Sequence, residues 1–318
     1  MHLPFTFSIF FVLRWASALT NFEDWEHQRI ALENVSIYLR YAGSGPPVLL
    51  VHGNPQFSLT WRGIRLLLAG NYTVIAVNNR GAGDSSLPPD ANYMVIASAD
   101  DLNNVLDFLN ITSTYILSHD MGAGIATALA VKYPDLVRRL VVTEYLLPGF
   151  GFEQARNPRA YWDLYANWQL AFFSITDAVA FFKAATFSED IVNRYTSSIS
   201  KPGFLRAMLA ASFFQGTLGK HPLQMPTLAM GGEASLGPFA SQAWGNMTSH
   251  LETDVVPKAG HWIADENPAW VTRRVDKFFA EESSHPPPPV NLSVLNDKAT
   301  LTVGYFGTLQ NVVLSGIS

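Results

Sequence analysis

The stretch Tyr115-Ile-Leu-Ser-His-Asp-Met-Gly-Ala-Gly-Ile-Ala-Thr-Ala-Leu-Ala-Val131 decides the fold. Its first part, residues 115–117, is a short apolar run typical of a buried parallel strand. Residues 122–133 are small and apolar and predict a helix. Residues 118–121 are all that remain to join the two elements, so the chain is expected to turn sharply at Asp120.

This turn has the pattern of a nucleophile elbow, in which small neighbours allow a strained strand-to-helix turn to expose one side chain. Ser118, Gly122 and Gly124 are the small neighbours, and the exposed side chain is the Asp120 carboxylate. The positive end of the following helix would keep the carboxylate ionised, and the Met121 N–H would face charge developing beside it. Such a carboxylate attacks carbon and forms an ester. The alternative is that Asp120 merely caps the helix.

Composition narrows the class of protein. The chain has 318 residues, of which 48% are hydrophobic and 15% charged, enough for one large core with an inserted subdomain. The formal net charge of -5 is modest and no basic cluster stands out, which argues against a nucleic-acid partner. Cysteine is absent, so disulfide bonds do not contribute to stability.

The amino terminus predicts a secretory signal peptide over residues 1–18. Residues 3–13 form an apolar run, and Ala16-Ser17-Ala18 suits cleavage after Ala18. The run is short for a bilayer span, although an uncleaved membrane anchor is the alternative. Five Asn-x-Ser/Thr sequons add weight to a secreted or lumenal glycoprotein. They lie at Asn34, Asn71, Asn110, Asn246 and Asn291.

The remaining chain alternates strand and helix patterns, interrupted once. The strand patterns are residues 35–41 (an edge strand by its alternation), 48–52, 74–77, 140–144, 225–232 and 253–261. Residues 147–222 are instead helical and rich in aromatic residues, which predicts a cap over the site. The predicted core therefore comprises residues 19–146 and 223–282, and a Pro-rich linker and strand-like tail follow at 283–318.

Loops after the predicted strands supply further candidates. The N–H of Asn54, in the loop His52-Gly-Asn-Pro-Gln56, is expected to face the same crevice as that of Met121, and two such donors form an oxyanion hole. In the next loop, Arg80 and Asp84 are expected to pair in a structural role.

Two later residues complete a possible catalytic set. Glu144 ends the strand after the elbow helix, and His261 follows a glycine beyond the last strand. Both fall at the edge of the sheet where Asp120 is expected. Their order predicts a nucleophile, an orienting acid and a base.

Over residues 22–282 the chain resembles the α/β-hydrolase superfamily, specifically its branch with an aspartate nucleophile, the epoxide hydrolases and haloalkane dehalogenases. The matching motifs are His52-Gly-Asn-Pro55, Arg80-Gly-Ala-Gly-Asp-Ser85, His119-Asp-Met-Gly122 and Gly260-His-Trp262. The resemblance implies the α/β-hydrolase fold, with a mostly parallel central sheet, flanking helices and an inserted helical cap. It implies an Asp120 ester, hydrolysed by water that His261 activates, and no cofactor or metal.

The sequence departs from the family at the acid. In many relatives the acid lies after the strand that here ends at Gly232, where the matching position is Ser235. A serine cannot orient an imidazolium as a carboxylate does. Glu144 is therefore the predicted acid, as in some members of the branch, and Glu233 is the alternative.

The cap departs from the family as well. Epoxide hydrolases use cap tyrosines to protonate the opening ring, but Trp168, followed by Gln169, stands at the first such position and Phe214 lies at the second. Tyr165, one helical turn before Trp168, is a possible substitute. The apolar, aromatic cap favours a small apolar epoxide as substrate, with these four residues as candidate substrate contacts.

Two other functions remain open. One is a haloalkane dehalogenase, the second choice after the epoxide hydrolase, because Asn54 and Trp61-Arg62 resemble that subgroup. Against it, Met121 stands where the usual tryptophan of that subgroup follows the nucleophile. A haloacetate dehalogenase is less favoured, since residues 121–124 lack the arginines that would bind a carboxylate. The other function that remains open is that of a non-hydrolytic, ligand-binding member of the fold.

Overall fold

The computed structural model describes residues 25–147, 187–203, 222–281, 285–292, 295, 298–302 and 313–315. The described strands are β1 (Glu26–Ala31), β2 (Ser36–Ala42), β3 (Pro47–Val51), β4 (Thr73–Val77), β5 (Thr114–His119), β6 (Val137–Thr143), β7 (Thr227–Gly232), β8 (Leu251–Val256), β9 (Lys298–Thr302) and β10 (Val313–Ser315). The described α-helices are α1 (Arg62–Leu68), α2 (Val95–Phe108), α3 (Met121–Lys132), α4 (Glu189–Ile199), α5 (Pro238–Ala243), α6 (Ile263–Glu266) and α7 (Pro268–Ala280).

The described strands form one sheet in the order β10-β9-β1-β2-β4-β3-β5-β6-β7-β8. From β4 to β8 all neighbours run parallel, and β2 is antiparallel to both of its neighbours. The carboxyl ends of β3, β5, β6, β7 and β8 therefore meet at one edge of the sheet, where open α/β sheets bind ligands. This mostly parallel sheet with flanking helices confirms the predicted fold class.

Both faces of the sheet are covered, as its continuous apolar strands require. In β3, Leu49 and Val51 pack on one face, in a cluster that includes residues of α2 and α3. Val48 and Leu50 point to the other face, towards α1, α4 and α7. All four side chains are fully buried. The core thus holds the ends of the central strands rigidly in place.

The prediction that residues 35–41 form an edge strand is wrong. The corresponding strand, β2, lies between β1 and β4. The strand β1 was not predicted, because its sequence Glu-His-Gln-Arg-Ile-Ala shows little alternation of polar and apolar residues. Its buried positions are a glutamine and an isoleucine. Gln28 is satisfied by donating its amide N–H to the carbonyl of Leu295.

The expected Arg80–Asp84 pair is also wrong. Arg80 binds the carboxylate of Asp101 on α2 through Nε and Nη2, at 2.7 and 2.8 Å. Asp84 instead pairs with Lys201, just beyond α4, at 3.1 Å. Positive φ angles at the intervening glycines, 81 and 83, turn the loop and separate the two side chains.

Within the predicted cap, residues 147–222, the structure describes residues 187–203 and the two end residues. Its helix α4 buries Ile191, Val192, Tyr195 and Ile199 against the core, in the cluster shared with α1 and α7. The predicted signal peptide lies outside the described residues. None of the described helices is long and apolar enough to span a bilayer.

Candidate active site

Asp120 lies at a strained turn between β5 and α3. Its φ and ψ angles are 50° and -133°, a region that residues with a side chain rarely adopt. The side chain makes no capping hydrogen bond to α3. The carboxylate is instead presented at the carboxyl edge of the sheet, as the elbow pattern predicts and helix capping does not.

Two glycines make this turn possible. A Cβ on Gly122 would fall on the backbone carbonyls of Val51 and His52, because α3 crosses the end of β3 there. A Cβ on Gly53 would fall on the Cβ and Oδ1 of Asp120. The loop after β3 and the elbow therefore approach each other at distances that require glycine on both sides.

The loop after β3 also provides a donor to the carboxylate. The Asn54 N–H donates to Asp120 Oδ1 at 3.0 Å, and the Asn54–Pro55 peptide is cis. The Met121 N–H interacts with the same carboxylate and favours its ionised form. These are the two backbone groups that the sequence predicts as oxyanion donors, and they meet at Asp120.

His52 anchors this loop. Its Nε2 accepts from the Asn79 backbone N–H at 2.9 Å, and its carbonyl accepts from Asn79 Nδ2 at 2.8 Å. Because Nε2 is an acceptor, Nδ1 carries the proton and donates to the carbonyl of Gly53 at 2.8 Å. Complete burial lowers the pKa of His52 to about 4, so this side chain is neutral and acts as a structural support.

His261 lies between the two carboxylates. Its Nδ1 is 2.9 Å from Glu144 Oε2, and its Nε2 is 3.6 Å from Asp120 Oδ2. The first distance is a hydrogen bond, and the second is just beyond one. Nδ1 is therefore fixed by its hydrogen bond with Glu144, while Nε2 faces the Asp120 carboxylate.

Glu144 is held more firmly than any other carboxylate in the described site. It is 2% exposed, and its backbone has a positive φ of 52°. Oε1 accepts from the Gly232 N–H at 2.6 Å, and Oε2 accepts from Ser235 Oγ at 2.6 Å as well as from His261. The alternative acid, Glu233, is exposed and accepts from the Lys258 N–H instead.

The backbone around His261 has its own support. The N–H groups of Gly260 and Trp262 both donate to the carboxylate of Glu266 in α6, the latter at 3.1 Å. One carboxylate thus binds the residues on either side of His261 and fixes the direction of the ring. No pattern in the sequence indicates this role for Glu266.

The electrostatics of the site couple Asp120 to His261. Desolvation raises the pKa of Asp120, although the His261 charge and the N–H groups of Met121 and Asn54 oppose this. Burial by itself would lower the pKa of His261, but the hydrogen bond to Glu144 and the charges of Asp120, Glu144 and Glu266 outweigh it and raise the pKa. The site therefore stabilises an imidazolium between two carboxylates.

His119 is a neighbour of the site whose role the sequence did not reveal. Its buried ring lies 4.9 Å from that of His261. The Thr143 hydroxyl donates to the Ser118 carbonyl at 2.9 Å, so the 3.1 Å contact with His119 Nδ1 requires that Nδ1 donate. Burial, followed by the charges of His261 and His52, lowers the pKa of His119 well below its usual value. His119 is thus a buried, neutral neighbour of the His261 ring.

A buried polar cluster beside the site was also missed. Arg62 forms an ion pair with Asp265, and Gln56 donates to Asp265 at 3.3 Å and to the Tyr195 hydroxyl at 3.1 Å. Burial raises the pKa of Asp265 to about 6, although Arg62 and Gln56 oppose the shift. Since Tyr195 belongs to α4, the cluster connects this part of the predicted cap to the core. Its members are too far apart in sequence for any local pattern to reveal it.

The predicted substrate contacts Tyr165, Trp168, Gln169 and Phe214 lie outside the described residues. Within the described ranges, no group of three or more histidine, aspartate or glutamate side chains is arranged to hold a metal ion.

The family profile described as "alpha/beta hydrolase fold" matches residues 46–268. The chain belongs to the α/β-hydrolase family and is a hydrolase of this fold. The resemblance to epoxide hydrolases and dehalogenases is confirmed by its relatives.

For two of these relatives, the match with this chain extends over nearly the whole length of the relative. The soluble epoxide hydrolase of Corynebacterium sp. strain C12 is 28% identical over 288 residues, which are 80% of this chain and 97% of the relative. The fluoroacetate dehalogenase of a Burkholderia species is 28% identical over 295 residues, 83% of this chain and 96% of the relative. A solved structure of the epoxide hydrolase CorEH is 25% identical, with a TM-score of 0.67 over 80% of this chain and 99% of that one.

Proposed function

We propose that this chain is an epoxide hydrolase that opens a small apolar epoxide through a covalent ester on Asp120. The observation that carries the proposal is the arrangement at the elbow. A carboxylate stands there with one oxygen bound by the Asn54 N–H and the other 3.6 Å from His261 Nε2. The similarity to the Corynebacterium soluble epoxide hydrolase supports it.

In the first step, Asp120 Oδ2 attacks a ring carbon of the epoxide. The carbon–oxygen bond of the strained ring breaks, and the epoxide oxygen takes a proton from an acid of the cap, so that a hydroxyalkyl ester results. The role of Oδ2 follows from the contacts, because Oδ1 is bound by the Asn54 N–H. Tyr165 is the candidate acid.

In the second step, water attacks the ester carbonyl carbon. His261 Nε2 takes a proton from the water, and Glu144 stabilises the resulting imidazolium through Nδ1. Negative charge develops on Oδ1, which the N–H groups of Asn54 and Met121 stabilise. Collapse of this intermediate breaks the ester bond, and the leaving diol oxygen takes the proton from His261 Nε2. The second proton of the attacking water returns to the cap acid, so that the diol is released and the Asp120 carboxylate is restored.

A dehalogenase is the second candidate, favoured by the fluoroacetate dehalogenase of Burkholderia. There the same Asp120 attack would expel a halide instead of opening a ring. Two features count against a haloacetate as substrate. Residues 121–124, Met-Gly-Ala-Gly, include no arginine for its carboxylate. The nearby Arg62 is already neutralised by Asp265.

The proposal is tested by trapping the ester on His261→Gln protein. Attack uses Asp120 and the cap acid and does not need the imidazole, whereas ester hydrolysis does, so the ester should accumulate when the base is removed. The variant is incubated with a panel of apolar epoxides and haloalkanes plus fluoroacetate, and its intact mass is then measured under denaturing conditions. Asp120→Asn on the His261→Gln background is the matched control and should gain no mass.

The mass gained separates the functions. A gain equal to a whole epoxide, on a peptide that contains Asp120, supports the epoxide hydrolase. A gain equal to an alkyl or carboxymethyl group without its halogen identifies a dehalogenase and overturns the proposal. Ligand binding without any adduct across the panel would also overturn it, in favour of a non-hydrolytic, binding member of the fold.

A further inference from the structure

The five sequon asparagines share a structural property. Each is exposed, and each lies in a turn, bend or loop outside the helices and strands. Of the other eight asparagines in the described ranges, just Asn104 and Asn193 are exposed, and both lie inside helices, α2 and α4. Among the described asparagines, the five in sequons are therefore exposed and outside helices and strands, and no other asparagine has both properties. These are the surroundings that an asparagine carrying a bulky sugar requires.

Four of the five sequons lie at one edge of the sheet. Asn71 is in the turn between α1 and β4, Asn110 between α2 and β5, and Asn246 between α5 and β8. Asn291 follows Val290, which bridges to Gly45 just before β3. All four therefore flank the amino ends of parallel strands.

The candidate active site lies at the opposite edge. Its residues follow the carboxyl ends of β3, β5, β6 and β8. Of these strands, β3 has five residues, β5 and β8 have six, and β6 has seven. At about 3.3 Å per residue, the strands separate the two edges by roughly 15–20 Å.

The fifth sequon, at Asn34, lies at the same edge of the sheet as the candidate active site but several strands away from it. Asn34 lies in the turn between β1 and β2, and the antiparallel register of β2 puts that turn at the carboxyl end of β4. From β2 to β5 the sheet spans three strand spacings, roughly 14 Å. A group attached to Asn34 therefore points to solvent beside the site, not over Asp120.

We propose that the chain is N-glycosylated at all five sequons in a eukaryotic secretory pathway, and that four of the glycans cover the amino edge of the sheet while leaving the catalytic edge open. The predicted signal peptide supplies the route. The sugar donor is a polyprenyl-diphosphate oligosaccharide. The asparagine Nδ2 forms a bond to the anomeric carbon as the carbon–oxygen bond to the diphosphate breaks, and the amide loses one proton. This proposal does not depend on the proposed function.

At two of the sequons the structure indicates which residue to replace. Asn110 has a positive φ of 56°, which asparagine tolerates well, whereas Thr112 is exposed. Thr112→Ala therefore removes that sequon with less strain than Asn110→Gln. At the Asn71 sequon, Thr73 is buried and donates to the Val290 carbonyl at 2.6 Å. Asn71→Gln is therefore the safer change there.

The test uses the full chain, secreted from yeast with its own amino terminus. Peptides are treated with peptide N-glycosidase in ¹⁸O water, which converts each glycosylated asparagine to labelled aspartate, and are then read by mass spectrometry. We expect label at the five sequons, none at Asn104 or Asn193, and loss of the label at Asn110 in the Thr112→Ala variant. The same chain made in the bacterial cytosol is the control for spontaneous deamidation.

Secretion without label at the four amino-edge sequons overturns the proposal. Retention in the cytosol with no glycan overturns it as well. The claim about the catalytic edge has a separate readout, the rate at which diethyl pyrocarbonate modifies His261 in the native glycoprotein. Enzymatic removal of the glycans should leave this rate unchanged, and a severalfold increase would show that the sugars cover the site. Neither readout requires turnover, so failure of the proposed function leaves both intact.

Discussion

Ser235 donates a 2.6 Å hydrogen bond to Glu144 Oε2, the same oxygen that accepts from His261 Nδ1 at 2.9 Å. The position where many relatives have their acid thus contacts Glu144, the residue that the sequence predicts as the acid of this chain. A carboxylate at 235 would lie against Glu144 and repel it, whereas a hydroxyl stabilises the charge. A serine at 235 is therefore compatible with an acid that directly follows β6.

We expect Ser235→Ala to slow ester hydrolysis modestly. The lost hydrogen bond is to a charged group, but Ser235 is exposed and water can replace part of it, so the loss is about 1 kcal/mol, roughly fivefold in rate. Ser235→Thr keeps the hydroxyl and should retain most of the rate. Single-turnover measurement of ester decay, with the substrate found by trapping, checks this. An equal loss in ester formation would contradict a role through Glu144.

Glu144→Gln should change both the rate and its pH dependence. General-base assistance contributes about 10²–10⁴-fold, and much of it should be lost with the acid. The hydrogen bond and charge of Glu144 raise the pKa of His261. Without them the acid limb of the pH–rate profile should move to lower pH. Glu233→Gln is the matched control and should alter neither, since Glu233 contacts Lys258.

Gly53→Ala should abolish ester formation while leaving most of the fold intact. The new methyl group would overlap the Cβ and Oδ1 of Asp120 and displace the nucleophile. Gly70→Ala is the control, because nothing lies within 4 Å of a Cβ there. Ester trapping and circular dichroism are measured on both variants. Normal trapping in Gly53→Ala would refute the close approach of the loop to the elbow.

The two ion pairs of the glycine-rich loop should differ in their contribution to stability. Arg80→Ala leaves the buried Asp101 uncompensated, since both side chains are under 10% exposed, and should cost about 3–5 kcal/mol in unfolding free energy. Asp84→Ala breaks the exposed pair with Lys201 and should cost at most about 1 kcal/mol. Urea unfolding at neutral pH measures both. Equal losses would argue against the assignment of Arg80 to Asp101.

The buried Asp265 should make stability pH-dependent. Its pKa is raised from 3.8 to about 6, so between these values the folded state binds more protons than the unfolded state. The unfolding free energy therefore falls as pH rises through this window, and is lowest above about pH 6. Asp265→Asn lacks this dependence. The wild type should accordingly lose up to about 3 kcal/mol relative to the variant between pH 4 and pH 7, measured by urea unfolding. A pH-independent difference would refute the shift.

The sequence predicted those parts of the fold that depend on local pattern. The continuous apolar runs identified β3, β4 and β5, because a strand buried on both faces has no polar positions. The small residues around Asp120 identified the elbow, since the close approach of backbone leaves no room for other side chains.

Other features depend on tertiary structure and could not be predicted. β1 is polar and becomes a strand because β2 and β9 pair with it. The partner of Arg80 was misassigned to a close neighbour in sequence, whereas Asp101 is 21 positions away. Gln56 and Asp265 are 209 positions apart, and no periodicity connects them.

The pairing of β9 with β1 has a consequence for solubility. Ile30 and Ala31 of β1 are paired with Leu301 and Thr302, and β9 in turn is covered by the three-residue strand β10. A chain truncated at residue 282 would lose β9 and expose the backbone N–H and C=O groups of β1 that pair with it at Ile30 and Ala31, an edge to which a second molecule could add a strand. We therefore expect the carboxyl-terminal tail to reduce aggregation by edge-to-edge pairing of sheets.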